Sequence, residues 1–146
     1  MTELPLEDQF VGLFDRLRQL AFGQHPLADS GVSMPQLTLL DWIAVSPGCG
    51  VREIALGLGL TAPTVSVSAR RLQAAGLVER RPDPRDGRAI QLLLSAQGQA
   101  LHQRALAFRR EKMRGLLAGL SVPERATLLA LLEQAINAAE KESGQT

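Results

Sequence analysis

Apolar residues recur at three- and four-residue spacing through most of this chain, and the pattern changes once, around residues 77–94. Leu6, Phe10, Leu13, Phe14, Leu17 and Leu20 mark a first helix over residues 5–22, broken by Gly23, His25 and Pro26. Ser33 caps a shorter helix over 34–45, which stops at Ser46, Pro47 and Gly48. A third begins at Gly50 or Val51, with Ile54, Ala55 and Leu58 on one face and Glu53 placed to return an acceptor to the first free N–H groups. Gly57 and Gly59 punctuate the turn after it, through a positive φ or a close helix approach. Thr61 caps the next helix, Pro63 sits in its first turn, Val65, Ala69 and Leu72 form its inward stripe, and Gly76 ends it. Leu77 to Arg81 read as a strand, Pro82 to Gly87 as a tip, and Ala89, Ile90, Leu92 and Leu94 as a return strand. A long helix over 96–118 and a last one, capped by Ser121 and running to about Glu140, complete the chain.

Residues 51–94 thus run helix, glycine turn, helix, strand, charged loop, strand, which is the order of a winged helix-turn-helix. Ala55, Gly59 and Val65 supply what a steep crossing needs: a small residue, a turn residue without a Cβ, and an apolar residue facing back. Ser68 departs from the pattern, since a branched aliphatic side chain usually completes that contact. A plain helical hairpin does not account for the two strands that follow.

With Val65, Ala69 and Leu72 turned inward, Pro63, Thr64, Ser66, Val67, Arg70 and Arg71 fall on or beside the outer face. Thr61, Thr64 and Val67 lie near the helix N-terminus, the end that enters a major groove most deeply. Arg70 and Arg71 are better placed for phosphates. Arg80, Arg85 and Arg88 put positive charge on the wing, suited to phosphates and a narrow minor groove, and Asp86 is expected to position an arginine there. The formal net charge is only +1, yet residues 61–94 hold six arginines against Glu79, Asp83 and Asp86, and residues 95–120 hold five cations against Glu111. The charge is polarised, as an electrostatic footprint for nucleic acid requires.

From Thr61 to Leu94, with GLVERRPDPRDGRAIQLLL as the most specific part and SAQG opening the next helix, the chain resembles the MarR family of bacterial transcription regulators. Asp86 followed two residues later by Arg88 matches the family's wing motif. The resemblance implies a mainly α fold with a small β-hairpin wing, a winged helix-turn-helix over 34–94, and dimerisation helices in 1–33 and 95–146. It implies a homodimer on double-stranded DNA, with two recognition helices about 34–36 Å apart on a pseudo-palindromic operator. Leu128, Leu129, Leu131, Leu132 and Ile136 agree with pairing, because they make the last helix apolar over more than one face. Many members carry arginine where this chain has Val67, so that guanine contact does not transfer.

The resemblance also implies a repressor released by a small, aromatic or anionic effector lodged between the dimerisation helices and the DNA-binding unit. Phe14, Arg18, Gln36, Leu40, Trp42 and His102 are the residues expected there, although each also has an ordinary structural reading. Oxidant-sensing members place a reactive cysteine near the start of the first helix. Here Cys49 is the only cysteine and falls in the loop before the helix-turn-helix, so an ordinary thiol is expected.

At 146 residues and 45% apolar content, the chain suits a single domain, residues 1–146. One cysteine and two histidines leave no metal cluster, and neither a catalytic constellation nor a cofactor fingerprint is present. No enzyme and no cofactor are expected. Glu3, Glu7 and Asp8 and the lack of a long apolar run argue against a signal peptide or a membrane span, and for the cytoplasm. The competing reading is a winged-helix protein-interaction module that does not bind DNA.

Overall fold

The computed structural model describes residues 3–144 and holds six helices and one hairpin: α1 Leu6–Phe22, α2 Met34–Val45, α3 Val51–Leu58, α4 Ala62–Ala74, β1 Val78–Pro82, β2 Ile90–Leu94, α5 Ala96–Leu117 and α6 Val122–Ser143. The outermost residues of the expected 1–146 domain, 1–2 and 145–146, lie outside the described ones. Two compact units are present, one up to Arg109 and one from Arg110 onward.

The first unit has one apolar core. Leu27, Leu37, Leu40, Ile43, Ile54, Val65, Leu72 and Leu92 are almost completely buried in it, drawn from the α1–α2 loop, α2, α3, α4 and β2. Each such side chain contributes about 1.5–3 kcal/mol on burial. Val65, Ala69 and Leu72 are the buried residues of α4, as its spacing required. Ser68, at the position where the crossing lacks a branched side chain, is half-buried.

Local chemistry sets most of the helix ends. Ser33 and Gln36 close a reciprocal capping box on α2, and Ser121 and Glu124 close another on α6. Thr61 Oγ1 accepts the Thr64 backbone N–H at 3.3 Å, and Pro63 occupies the first turn of α4. The expectation for Glu53 is corrected. The N-cap of α3 is Gly50, with no side chain to supply the other half of a box, and no side-chain cap forms.

The two glycines of the turn divide the reasons that glycine was required. Gly59 has φ 66° and ends α3 with Leu60 N–H donating to Ala55 O at 2.9 Å. Gly57 is still helical, and a Cβ there would meet Trp42 Cη2 at 2.0 Å. Trp42 therefore lies close against the first helix of the pair, half-buried.

β1 and β2 pair antiparallel from Val78 with Leu94 to Pro82 with Ile90. A third piece joins this hairpin without any local signal in the sequence. Cys49 bridges Leu92, Leu92 N–H donating to Cys49 O at 3.0 Å and Gly48 N–H to Leu92 O at 3.0 Å. The loop before α3 is thereby stitched to the wing.

This bridge buries Cys49. Burial pushes its thiol up from the ordinary value, and the Glu53 carboxylate adds to the shift. Little thiolate is available to react with oxidant. Stoichiometric peroxide is therefore expected to leave DNA binding of the parent and of Cys49→Ser equally unchanged in fluorescence anisotropy; release of the parent alone would contradict this.

In the second unit, α6 has no buried residue. Arg125 Nε donates to Leu117 O at 2.8 Å and to Leu120 O at 3.1 Å, closing the turn that leads from α5 into α6.

Candidate nucleic-acid interface

The outer face of α4 carries the side chains that its spacing assigned to it. Pro63, Thr64, Val67, Arg70 and Arg71 are exposed, Ser66 is half-buried, and Val67 keeps 48% of its surface. Thr61 and Thr64 are engaged with one another, their hydroxyls 2.7 Å apart at the helix N-terminus. That end offers a partly positive helix dipole, a small hydroxyl pair and one branched apolar side chain. It is able to meet a phosphate, a base edge or a thymine methyl.

In the wing, two aspartates order the tip. Asp83 Oδ1 accepts the Arg85 backbone N–H at 2.8 Å, and Asp86 Oδ1 accepts the Arg88 backbone N–H at 3.0 Å. Each is a side chain closing a turn over the residue two places on, a bond that short carboxylates form readily. Asp86 thus positions an arginine as expected, and does so through the Arg88 backbone N–H. The turn leaves the Arg85 and Arg88 side chains exposed. Arg80 is half-buried on β1, whereas Arg81 is drawn to Glu79 at 2.7 Å. Among the described residues, Arg70, Arg71, Arg80, Arg85 and Arg88 have no carboxylate partner within ion-pair distance. They form a set of uncompensated cations on α4 and the wing.

The cations of α5 are used differently. Arg104 donates to Asp29 at 2.6 Å, which holds the Asp29 carboxyl below the usual carboxylate range. Arg109 donates to Asp41 Oδ2, and His102 Nδ1 lies 2.8 Å from Asp41 Oδ1. These bonds tie the start of α5 to α2 and to the loop before it. The excess of positive charge that sequence counting placed in residues 95–120 is thus partly spent inside the protein.

The residues expected around an effector are scattered among several tasks. Leu40 is completely buried in the core, and its assignment to a ligand surface is corrected for that reason. His102 is buried against Asp41 and is not the solvated residue that its polarity suggests. Gln36 Oε1 accepts the Ser33 N–H at 2.9 Å as part of the α2 cap. Trp42 covers Gly57, Arg18 is exposed beside Asp15, and Phe14 is 56% exposed. A cavity of about 310 Å³ lies between the α1–α2 loop and the ends of α2 and α4, and of the six it takes only Gln36. Its wall includes Val32, Arg71, Leu72, Leu77 and Leu101, none of which was among the residues expected around an effector.

Residues 30–89 match the model of the MarR family. The chain is 31% identical over 108 residues to the HTH-type transcriptional repressor Rv2887 of Mycobacterium tuberculosis (strain ATCC 25618 / H37Rv), covering 74% of this chain and 78% of that one. The crystal structure of FabT from Streptococcus pneumoniae in complex with DNA matches with a TM-score of 0.71 at 20% identity, over 93% of this chain and 96% of that one. PcaV from Streptomyces coelicolor, solved in complex with its natural ligand, matches with a TM-score of 0.63 at 27% identity, over 95% of this chain and 99% of PcaV.

Proposed function

The chain belongs to the MarR family of DNA-binding transcription regulators, and on that premise we propose that it is a homodimeric repressor of a pseudo-palindromic operator. The observation that carries this reading is the set of uncompensated arginines on one helix face and one hairpin. Thr64 and Val67, with Thr61, Pro63 and Ser66 beside them, meet bases and backbone at the deep end of α4, Val67 against a thymine methyl. Arg70 and Arg71 neutralise phosphates flanking the groove. Arg80, Arg85 and Arg88 act from the wing, with Asp86 shaping its tip. In this reading the winged unit is residues 34–94, and residues 1–33 and 95–146 serve pairing.

Pairing is supported by apolar surface that the protomer leaves uncovered. Leu6, Phe10, Val11, Leu13, Phe14 and Leu20 of α1 each keep more than half of their surface, as do Leu129, Leu131 and Ile136 of α6. Apolar exposure on this scale, on each helix by itself, marks an interaction surface. A second copy is the natural occupant, since two half-sites on DNA call for two recognition helices. Release by a small aromatic or anionic effector completes the proposal, with Phe14 and Arg18 exposed and Trp42 and Gln36 partly so. Among the described residues no single helix is long and apolar enough to cross a membrane, which suits a protein that works on DNA in the cytoplasm.

Anisotropy of labelled duplexes that tile the DNA flanking the gene, and of any pseudo-palindrome found within it, tests the reading. Binding should weaken steeply with salt, and a scrambled duplex should bind far less tightly. Arg88→Ala should weaken binding to all duplexes alike. Where Arg88 neutralises one phosphate in each subunit, its removal flattens the slope of log affinity against log salt by about 1.8. An unchanged slope and affinity would remove Arg88 from the interface. Failure of any duplex to bind, with the protein folded, would favour the protein-interaction module.

A further inference from the structure

His25 spans its own loop with both ring nitrogens. The Leu27 backbone N–H donates to Nδ1 at 3.0 Å, and Nε2 lies 2.6 Å from the Val32 carbonyl oxygen. A backbone N–H only donates and a carbonyl only accepts, so one form of the ring satisfies both: neutral imidazole with its proton on Nε2. Inside the span, Ser30 Oγ donates to Leu27 O at 2.6 Å and accepts the Val32 N–H at 3.2 Å. Leu27 is completely buried, which anchors the loop to the core. The closed segment is one wall of the cavity, through Ser30, Gly31 and Val32, with Gln36, Arg71 and Leu101 also lining it.

We propose that His25 is a proton-operated clasp on this wall. Neutral, it holds Leu27 and Val32 together; a second proton arriving at Nδ1 sets N–H against N–H and frees the Leu27 amide. Imidazole is the side chain that takes up such a proton most readily as pH falls from neutrality.

Asp29, on the same loop, is paired with Arg104 of α5 and held below the usual carboxylate range, so it stays ionised throughout. The last turn of α1 and the first turn of α2 carry no charged residue. Further along α2, Asp41 is paired with His102 and Arg109. Arg71 of α4, on the cavity wall, has no acid partner among the described residues.

The sign follows from the bonds. Only the neutral ring accepts the Leu27 N–H, so the clasp is closed while the ring is neutral and is lost once falling pH places a second proton on it. One proton taken up on opening lowers the ratio of closed to open loop by up to about tenfold per pH unit. The cavity wall loosens when the ring is doubly protonated, and the capped start of α2 directly after Val32 loosens with it.

Nuclear magnetic resonance of the full-length, nitrogen-15-labelled protein tests this. Long-range correlations from the two histidine rings are recorded from about pH 8 to about pH 5, with His25→Gln assigning the His25 ring. The expected result is a neutral, Nε2-protonated ring at the upper end, and Leu27 and Val32 amide signals that move in step with its titration while those of α6 do not. In His25→Gln that movement is absent. A ring protonated on Nδ1 at the upper end, or a His25 titration that leaves the Leu27 amide unmoved, overturns the proposal. Should His25→Gln fail to fold, the Leu27 and Val32 signals of the parent decide the matter alone, His102→Gln then supplying the assignment.

Discussion

A chain carrying both Leu129→Glu and Leu131→Glu is expected to sediment as a folded monomer and to bind the operator at least about a hundredfold more weakly than the parent. The two leucines keep 58% and 60% of their surface in the protomer, so a carboxylate at either place is simply solvated there. At about 100° per residue, Leu129 and Ile136 share one margin of the apolar face of α6, Leu131 forms the other, and Leu128 and Leu132 lie between. Wherever a second copy crosses this face, it buries at least one of the new charges, at a cost of several kcal/mol per unpaired ion. Losing the pair then loses the linkage of two half-sites, which is worth about 10²–10⁴ in affinity. Circular dichroism should remain that of the parent. A doubly substituted chain that stays dimeric at micromolar concentration and keeps its operator affinity would place the pairing surface elsewhere.

Gly98→Ala should lower stability by about 3 kcal/mol, at the upper end for an overfilled core site. A Cβ on Gly98 would stand 2.0 Å from the Leu77 carbonyl oxygen and 2.9 Å from its carbon, and backbone cannot step aside as a side-chain tip can. The same carbonyl accepts the Ser95 N–H at 3.0 Å, while Ser95 Oγ donates to Gly76 O at 2.6 Å and accepts the Gly98 N–H at 3.1 Å. One added methyl group therefore presses on the junction where α4, the hairpin and α5 meet. Thermal denaturation should show a midpoint lower by roughly 10 °C. Gly115→Ala, in the same helix, meets nothing within 4 Å and should be neutral or stabilising by up to about 1 kcal/mol. Equal effects from the two substitutions would contradict the close approach at Gly98.

Helical spacing treats Gly98 and Gly115 alike, and only the packing around them sets them apart. Spacing and capping chemistry act within a few residues, so they were legible: the Ser33, Thr61 and Ser121 caps, the inward stripe of Val65, Ala69 and Leu72, and the hairpin from Val78 to Leu94. The outward set from Pro63 to Arg71 followed from the same arithmetic, because fixing one face of a helix fixes the opposite one. The Glu53 cap failed because a glycine N-cap lacks the side chain that would answer it.

Pairings between distant residues carried no such signal. Asp41 meets His102 and Arg109 across more than sixty residues, which buries a histidine that looked solvated, and Leu40 sinks into the core although other residues of its helix are exposed. Cys49 becomes part of a sheet because Leu92 arrives beside it. A helical pattern specifies which residues share a face, and that is a property of the backbone alone. What each face meets depends on how several helices are brought together. Burial, ion pairing and the tolerance of a glycine for a methyl group are all consequences of that assembly.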